Sequence, residues 1–311
     1  GRGRATMAGV ASENIVALCD VNGKTLAASQ KKYPKAKAYF DWRKLLEDKS
    51  IDAVTVSTAD HCHALAAVAA MRAGKHVYCE KPLSHNIAEG RRAVRAARKY
   101  DRMVQVGINH RSTEYVRHIV RLVRGGAIGK VRAVKNWMWT NKVEKRTPPP
   151  GKIPASLDYD AWLGPAPDQD FHGNLHTYNW HWFWDTGNGD TGNQGVHEMD
   201  VARWAIKDST LPKSVWSVGG RYIPGGKDQG ETPNMQLSVY DYGETLLVFE
   251  TRGLVGKSGG PPRNVSNEFY TSEGVIRDWK FHPNNGGSAV NVSGEKVSVT
   301  PGGAFGSFIN A

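Results

Sequence analysis

Cysteine is scarce in this chain, and long apolar runs are missing altogether. Only three cysteines occur in 311 residues, at positions 19, 62 and 79. That odd number, at spacings unlike those of zinc ligands, argues against a disulfide scaffold or a structural metal site and for reduced packing residues. No stretch approaches the ~18 consecutive apolar residues of a membrane span. The HExxH pair of zinc hydrolases is absent. So is any internal repeat. Positive charge is in excess, with a formal net of +11, which suits an anionic ligand. Much of it falls on or beside one predicted helix, through Arg91, Arg92, Arg95, Arg98, Lys99 and Arg102. No nucleic-acid motif accompanies that solvated face.

What is present describes an ordinary globular chain with room for two domains, 40% hydrophobic and 23% charged. Over the first third, short apolar strands alternate with helices: strands at 14–20, 36–39, 51–57, 76–79 and 103–106, helices at 5–12, 24–32, 42–48, 64–73 and 87–100. The stretch Thr58 to His63 reads as a loop. This rhythm predicts βαβ units and a parallel sheet. After about residue 110 it changes to a helix at 113–124, a long strand at 131–140, a Pro-rich loop at 147–154 and a helix at 195–207. Turn-punctuated strands follow, at 214–222, 234–241, 245–250, 267–271 and 274–278. The expected fold is α/β: residues 1–110 a parallel-sheet domain, and 111–311 an α+β domain on a large, mostly antiparallel sheet.

Three places carry chemistry. The strand His76–Cys79 runs into Glu80, Lys81 and Pro82; ligands of parallel sheets sit past the carboxyl ends of strands, so the acid and the base face a cleft. Gly1 and Gly3 open a helix, and Asp20 closes the next strand. That pattern fits a pyrophosphate at the helix N-terminus and an acid on the adenosine ribose. An acid there repels a 2′-phosphate, which favours NAD over NADP. Finally, Asn193 and His197 stand four apart, on one face of the predicted helix, and histidine suits proton transfer to or from a hydroxyl. Trp180 and Trp184, in an aromatic stretch just upstream, suit the face of a sugar ring.

With those residues in hand, the chain resembles the Gfo/Idh/MocA family of glucose–fructose oxidoreductase and inositol dehydrogenase. The resemblance is carried by Ala17-Leu18-Cys19-Asp20, by the stretch from Thr58 to His63, by Gly74 to Pro82, by Val106-Gly107, by Gly125 to Val131, and by Asn193-Gln194-Gly195-Val196-His197. It implies an NAD-binding Rossmann domain and an α/β domain whose open sheet meets a partner subunit in a dimer or tetramer. It also implies that Lys81 and His197 are catalytic, and that Glu80 contacts the nicotinamide ribose and Asp20 the adenosine ribose. Thr58, Asp60 and His63 would form the loop over the cofactor, with Asn109 and Arg111 near nicotinamide and substrate.

Two departures from the family pattern matter. Many members carry Asp where this chain has Asn193, and an amide cannot take a proton, which leaves that work to Lys81 or His197. The family also opens with a strand and a full GxGxxG and closes with a further helix, so the chain reads as lacking its first strand and its last segment. A targeting segment and the compartment, cytoplasmic or exported, therefore stay open. The function expected is hydride transfer between a sugar or polyol carbinol and NAD. The alternatives are an NAD-dependent glycosidase working by transient oxidation, and a non-catalytic sugar sensor.

Overall fold

A computed structural model describes residues 2–139, 151–208, 210–223, 228–253, 264–292 and 297–311. The early part of the Pro-rich loop, the end of the long strand and Gly1 lie outside them. In chain order the elements are α1 (Arg2–Gly9), β1 (Ala17–Cys19), α2 (Gly23–Lys32), β2 (Lys37–Tyr39), α3 (Trp42–Glu47), β3 (Ala53–Val56), α4 (Asp60–Arg72), β4 (His76–Cys79), α5 (Ile87–Tyr100) and β5 (Val104–Val106). Then come α6 (Glu114–Gly125), β6 (Val131–Trp139), α7 (Tyr159–Leu163), α8 (Val196–Ala205), β7 (Ser214–Gly220), β8 (Met235–Asp241) and β9 (Leu246–Arg252). The last are β10 (Asn264–Thr271), β11 (Gly274–Arg277), β12 (Lys280–Pro283), β13 (Val290–Asn291) and α9 (Gly303–Ile309).

Two compact units emerge: Gly1–Gly107 with Arg146–Asn188 and Ala304–Ala311, and Ile108–Lys145 with Gly189–Gly303. The sequence reading placed everything after 110 together; the structure groups the segment holding α7, and most of α9, with the first unit. Both reach it by burying aromatic surface. Tyr159, Leu163, Leu175 and Phe183 make a core of their own with Val21 beside it. Phe305 of α9 stacks on Tyr78 of β4 at 4.7 Å between ring centroids.

In the first unit β1 pairs with β2, and β3, β4 and β5 form a second sheet, every pair parallel. Helix starts are set by side-chain caps: Asn22 for α2, Asp41 for α3 and Asn86 for α5 each accept from backbone N–H groups of the first turn. Alanines 66, 67 and 70 of α4 are buried, and their small size lets the helix lie close on Val56, Val77 and Cys79. α5 turns Ala93 and Ala96 to the same core. The cysteines are free; Cys79 is a packing residue, but Cys19 is exposed.

The second unit is an eight-stranded sheet in the order β13-β12-β11-β10-β6-β9-β8-β7, antiparallel except for the β6–β9 pair. One face carries α6 and α8 over a core of Val134, Leu247, Phe249, Phe269 and Ile276. β12, β13, α7 and α9 escaped the sequence reading because two-to-seven-residue elements are too short to show a period. Phe249 is fully buried at the centre of this core. Phe249→Ala is therefore expected to lower stability by ~3–5 kcal/mol, measured by urea unfolding; a loss below ~1 kcal/mol would mean the face is not packed as described.

Candidate active site

Because β3, β4 and β5 are parallel, their carboxyl ends share one edge of the sheet. Thr58, Glu80 and Gly107 emerge there. Glu80 is buried, at 3% exposure. Its Oε1 accepts from Arg2 Nε at 2.9 Å and from Thr6 Oγ1 at 3.2 Å, and Thr6 in turn accepts from Ser57 Oγ at 3.2 Å. Oε2 is buried with no hydrogen-bond partner. Gly107 makes room for it, since a Cβ there would stand 2.9 Å from Oε2. The first turn of α1 is thus fastened over the ends of β3 and β4. The sequence reading missed Arg2, Thr6 and Ser57. Arg2 and Thr6 stand four apart on one helical face, which was the available signal.

The stretch read as a loop is helical from Asp60 onward. An aspartate in the first turn of a helix is favoured by the helix dipole, which the loop reading overlooked. Asp60 is buried, and its Oδ2 has no hydrogen-bond partner. Burial pushes its carboxyl up to about 8, while the positive charge of Lys81 pulls it back. Lys81 is half-buried and joined to Pro82 by a cis peptide. His63, also buried, sets its ring between two carbonyls, Pro82 O at 2.6 Å from Nδ1 and Thr58 O at 3.0 Å from Nε2. As a neutral imidazole it donates its one N–H to one of these two carbonyls, between the backbone segments that flank the strand ends. Burial lowers its pKa to about 4, against the raising effect of those carbonyls.

Asp20 follows β1 and takes the N–H of Asn22 on Oδ1 at 2.8 Å. Burial raises its pKa, and that N–H lowers it. Of the two tryptophans proposed for substrate, Trp180 is buried and stacked on His181 at 3.6 Å, whereas Trp184 is 53% exposed.

In the second unit Asn109 opens a 3-10 turn, Asn109–Ser112. Arg111 is engaged by Asp200 through two hydrogen bonds, of 2.7 and 2.8 Å, and lies over the Trp204 ring. Asn193 sits in a π-helical turn, Thr191–Gly195, that precedes α8 and its His197. The helix expected to open at residue 195 is thus α-helical from Val196, and Asn193 falls in the π turn before it. His110, missed by the sequence reading, has its ring 4.8 Å from that of His197 and its Nδ1 3.9 Å from Oε1 of the buried Glu198. Burial lowers the His110 pKa, and Asp200 opposes this. Nothing in the pattern around residue 110 marks that histidine.

These features define a class: parallel strands with a helix N-terminus over their carboxyl ends and an acid after the neighbouring strand, as in dinucleotide-binding α/β folds. The arrangement fits a dinucleotide, with α1 N–H groups for phosphate, Asp20 for ribose hydroxyls, and the buried carboxyl of Asp60, its Oδ2 unpartnered, at the same edge. Two models of one family match in succession: the oxidoreductase family NAD-binding Rossmann fold over residues 2–108, and its C-terminal alpha/beta domain over 113–219. The chain belongs to this Gfo/Idh/MocA oxidoreductase family.

An inositol 2-dehydrogenase of Salmonella typhimurium is 37% identical over 123 residues, 39% of this chain and 37% of that protein. A levoglucosan dehydrogenase of Pseudarthrobacter phenanthrenivorans is 23% identical over 275 residues, 83% of this chain and 63% of that protein. The chain thus spans between about a third and two thirds of these relatives' length. Among solved structures, an NAD-binding protein from Listeria innocua aligns with a TM-score of 0.70 at 18% identity, covering 100% of this chain and 83% of its own. The WlbA dehydrogenase of Bordetella pertussis, solved with NADH and UDP-GlcNAcA, gives 0.67 at 16% identity, covering 90% and 74%.

Two outcomes follow. Arg2→Ala leaves the buried Glu80 carboxylate with Thr6 alone and is expected to cost ~1–3 kcal/mol in urea unfolding, less than a fully buried pair because Arg2 is half-exposed. A neutral effect would separate α1 from the stability of the strand ends. For His63 the folded pKa of about 4 lies below the ordinary 6.5. Unfolding therefore takes up a proton between those values, and the stability that neutral His63 provides is lost as pH falls from 6.5 toward 4. Asp60, raised, slopes the opposite way over an overlapping range, so the wild-type minus His63→Gln difference in unfolding free energy isolates the histidine. That difference should shrink as pH is lowered through the window; a flat difference would contradict a neutral, buried imidazole.

Proposed function

We propose that this chain carries the activity of an NAD-dependent oxidoreductase acting on a CH–OH carbon of a sugar or polyol. The observation that carries the reading is the strand edge where Lys81, whose charge acts on buried Asp60, follows the Glu80 that α1 holds through Arg2 and Thr6. A cation there meets a substrate hydroxyl at the place where a parallel sheet presents its ligand. Nicotinamide, when bound, accepts or returns a hydride. The chain supplies position and proton handling. Lys81 is a group able to take or give the hydroxyl proton; His197 is able to do so as well, whereas the Asn193 amide can only hydrogen-bond. Asp20 selects NAD by repelling a 2′-phosphate, and α1 favours the pyrophosphate. The named activities of the inositol and levoglucosan relatives support a neutral sugar or polyol as substrate. Exposed Val215, Trp216 and Val218 on edge strand β7 support pairing of the large sheet with a second copy.

Lys81→Ala is expected to abolish NADH formation on a sugar panel while NAD affinity, measured by fluorescence titration, stays close to wild type. A fully active variant would remove Lys81 from the chemistry. Net NADH with the sugar otherwise intact supports dehydrogenation; cleavage of a glycoside without net NADH supports the glycosidase instead.

A further inference from the structure

Within the second unit, a cavity of about 260 Å³ opens between α6, α8 and strands β10 and β11. Its base is apolar, made by core residues such as Phe269 and Ile276. Polar groups interrupt that base. Asn267 of β10 lines the cavity, and its Oδ1 is buried without a hydrogen-bond partner. Asn136 of β6 is paired directly across from Asn267, so both side chains lie on one face of the sheet. Asn136 is fully buried, and both its amide nitrogen and its amide oxygen lack partners. Two adjacent amides with unmet hydrogen bonds are costly in a core, at ~1–3 kcal/mol per group. A polar occupant would remove the part of that cost that falls on Asn267, the one of the two that lines the cavity.

The rest of the lining says which occupant. Buried Glu198 is held by the Gln194 amide, which donates to its carboxylate oxygens at 3.2 and 3.3 Å. Asp278 adds a second carboxylate. No lysine or arginine lines the cavity among the described residues. The rim carries an aromatic pair, Tyr115 and Trp279, edge to face at 4.4 Å and both more than a third exposed. Two carboxylates and unsatisfied amides want hydroxyl or ammonium donors, while aromatic faces take the C–H face of a ring. An anionic ligand, phosphate-bearing or carboxylate-bearing, would be desolvated against two like charges. The volume lies just under the ~300–1,000 Å³ of pockets for drug-sized ligands, which suits one ring. His110 lines the same cavity and touches the His197 ring, which connects the cavity to the proposed chemistry.

We propose that this cavity binds one uncharged or amine-bearing sugar ring, with its hydroxyls on Glu198, Asp278 and Asn267 and its C–H face against Trp279. It thereby confines the protein to neutral and amino sugars and excludes uronates and nucleotide-linked sugars. The proposal rests on the function given above for its link to turnover, but its binding claim can be tested apart.

The experiment is calorimetric titration of the purified chain, without NAD, with three probes of one ring and different charge: glucose, glucosamine and glucuronate. Binding of glucose or glucosamine at least tenfold tighter than glucuronate is expected. Asn267→Leu and the rim variant Trp279→Ala should each weaken it tenfold or more with unchanged circular dichroism, and Glu198→Gln should narrow the preference over glucuronate. No binding of any probe, equal or tighter binding of glucuronate, or full affinity in Trp279→Ala would overturn it. Binding as described without NADH formation would sink the oxidoreductase reading and leave the site standing. NADH formation on neutral sugars with KM unchanged in Trp279→Ala would do the reverse.

Discussion

A carboxylate buried at the end of a strand is the constraint on which the first unit turns. Glu80 is taken out of water by β4 and its neighbours, and burying a charge without partners costs several kcal/mol. The fold answers with α1. Arg2 and Thr6 bring charge and a hydroxyl to Oε1, Ser57 steadies Thr6, and the missing side chain of Gly107 leaves space for Oε2. The same arrangement that compensates Glu80 sets a helix N-terminus over the strand ends, where phosphate is favoured. Lys81, one residue on, is placed by Glu80 being fixed and by His63 holding the carbonyl of Pro82. Stability and the placement of the candidate chemistry are thus properties of one cluster.

The strands and helices of the first unit were legible because each carries a local signal: a β-branched run ending in polar residues, an Asn or Asp cap, an alanine stripe. The strand end at Glu80, Lys81 and Pro82 was legible for the same reason. What was hidden depends on distance along the chain. Glu80 points to α1, 74 residues away in sequence from Thr6, and no local pattern encodes that. The membership of 146–188 in the first unit rests on an aromatic core whose partners, Val21 and Leu157 among them, are far apart in sequence.

The second unit reads as a platform. Its sheet is built around the long strand β6, with β9 parallel on one side and β10 antiparallel on the other. α6 and α8 cover one face, and Phe249 fits beneath Gly195, where a Cβ would clash at 2.5 Å from the ring. That close approach seats the π turn and the start of α8 on the sheet. The amides of Asn136 and Asn267 interrupt the apolar core, a departure from consistent packing of the kind found at functional positions. Fold alone does not name a reaction. The functional reading rests on side chains: Lys81 with Asp60 in one unit, and His197 with His110 and Glu198 in the other.

The central claim is that a carbinol hydrogen passes to nicotinamide under the control of these groups. The most direct test is isotopic: the protein is incubated with NAD and sugars deuterated at single carbinol carbons, and the reduced cofactor is examined by proton NMR. The account predicts deuterium on one face of nicotinamide C4 from one labelled carbon. A chain that binds NAD with ordinary affinity yet yields no deuterated NADH from any labelled sugar or polyol would contradict it.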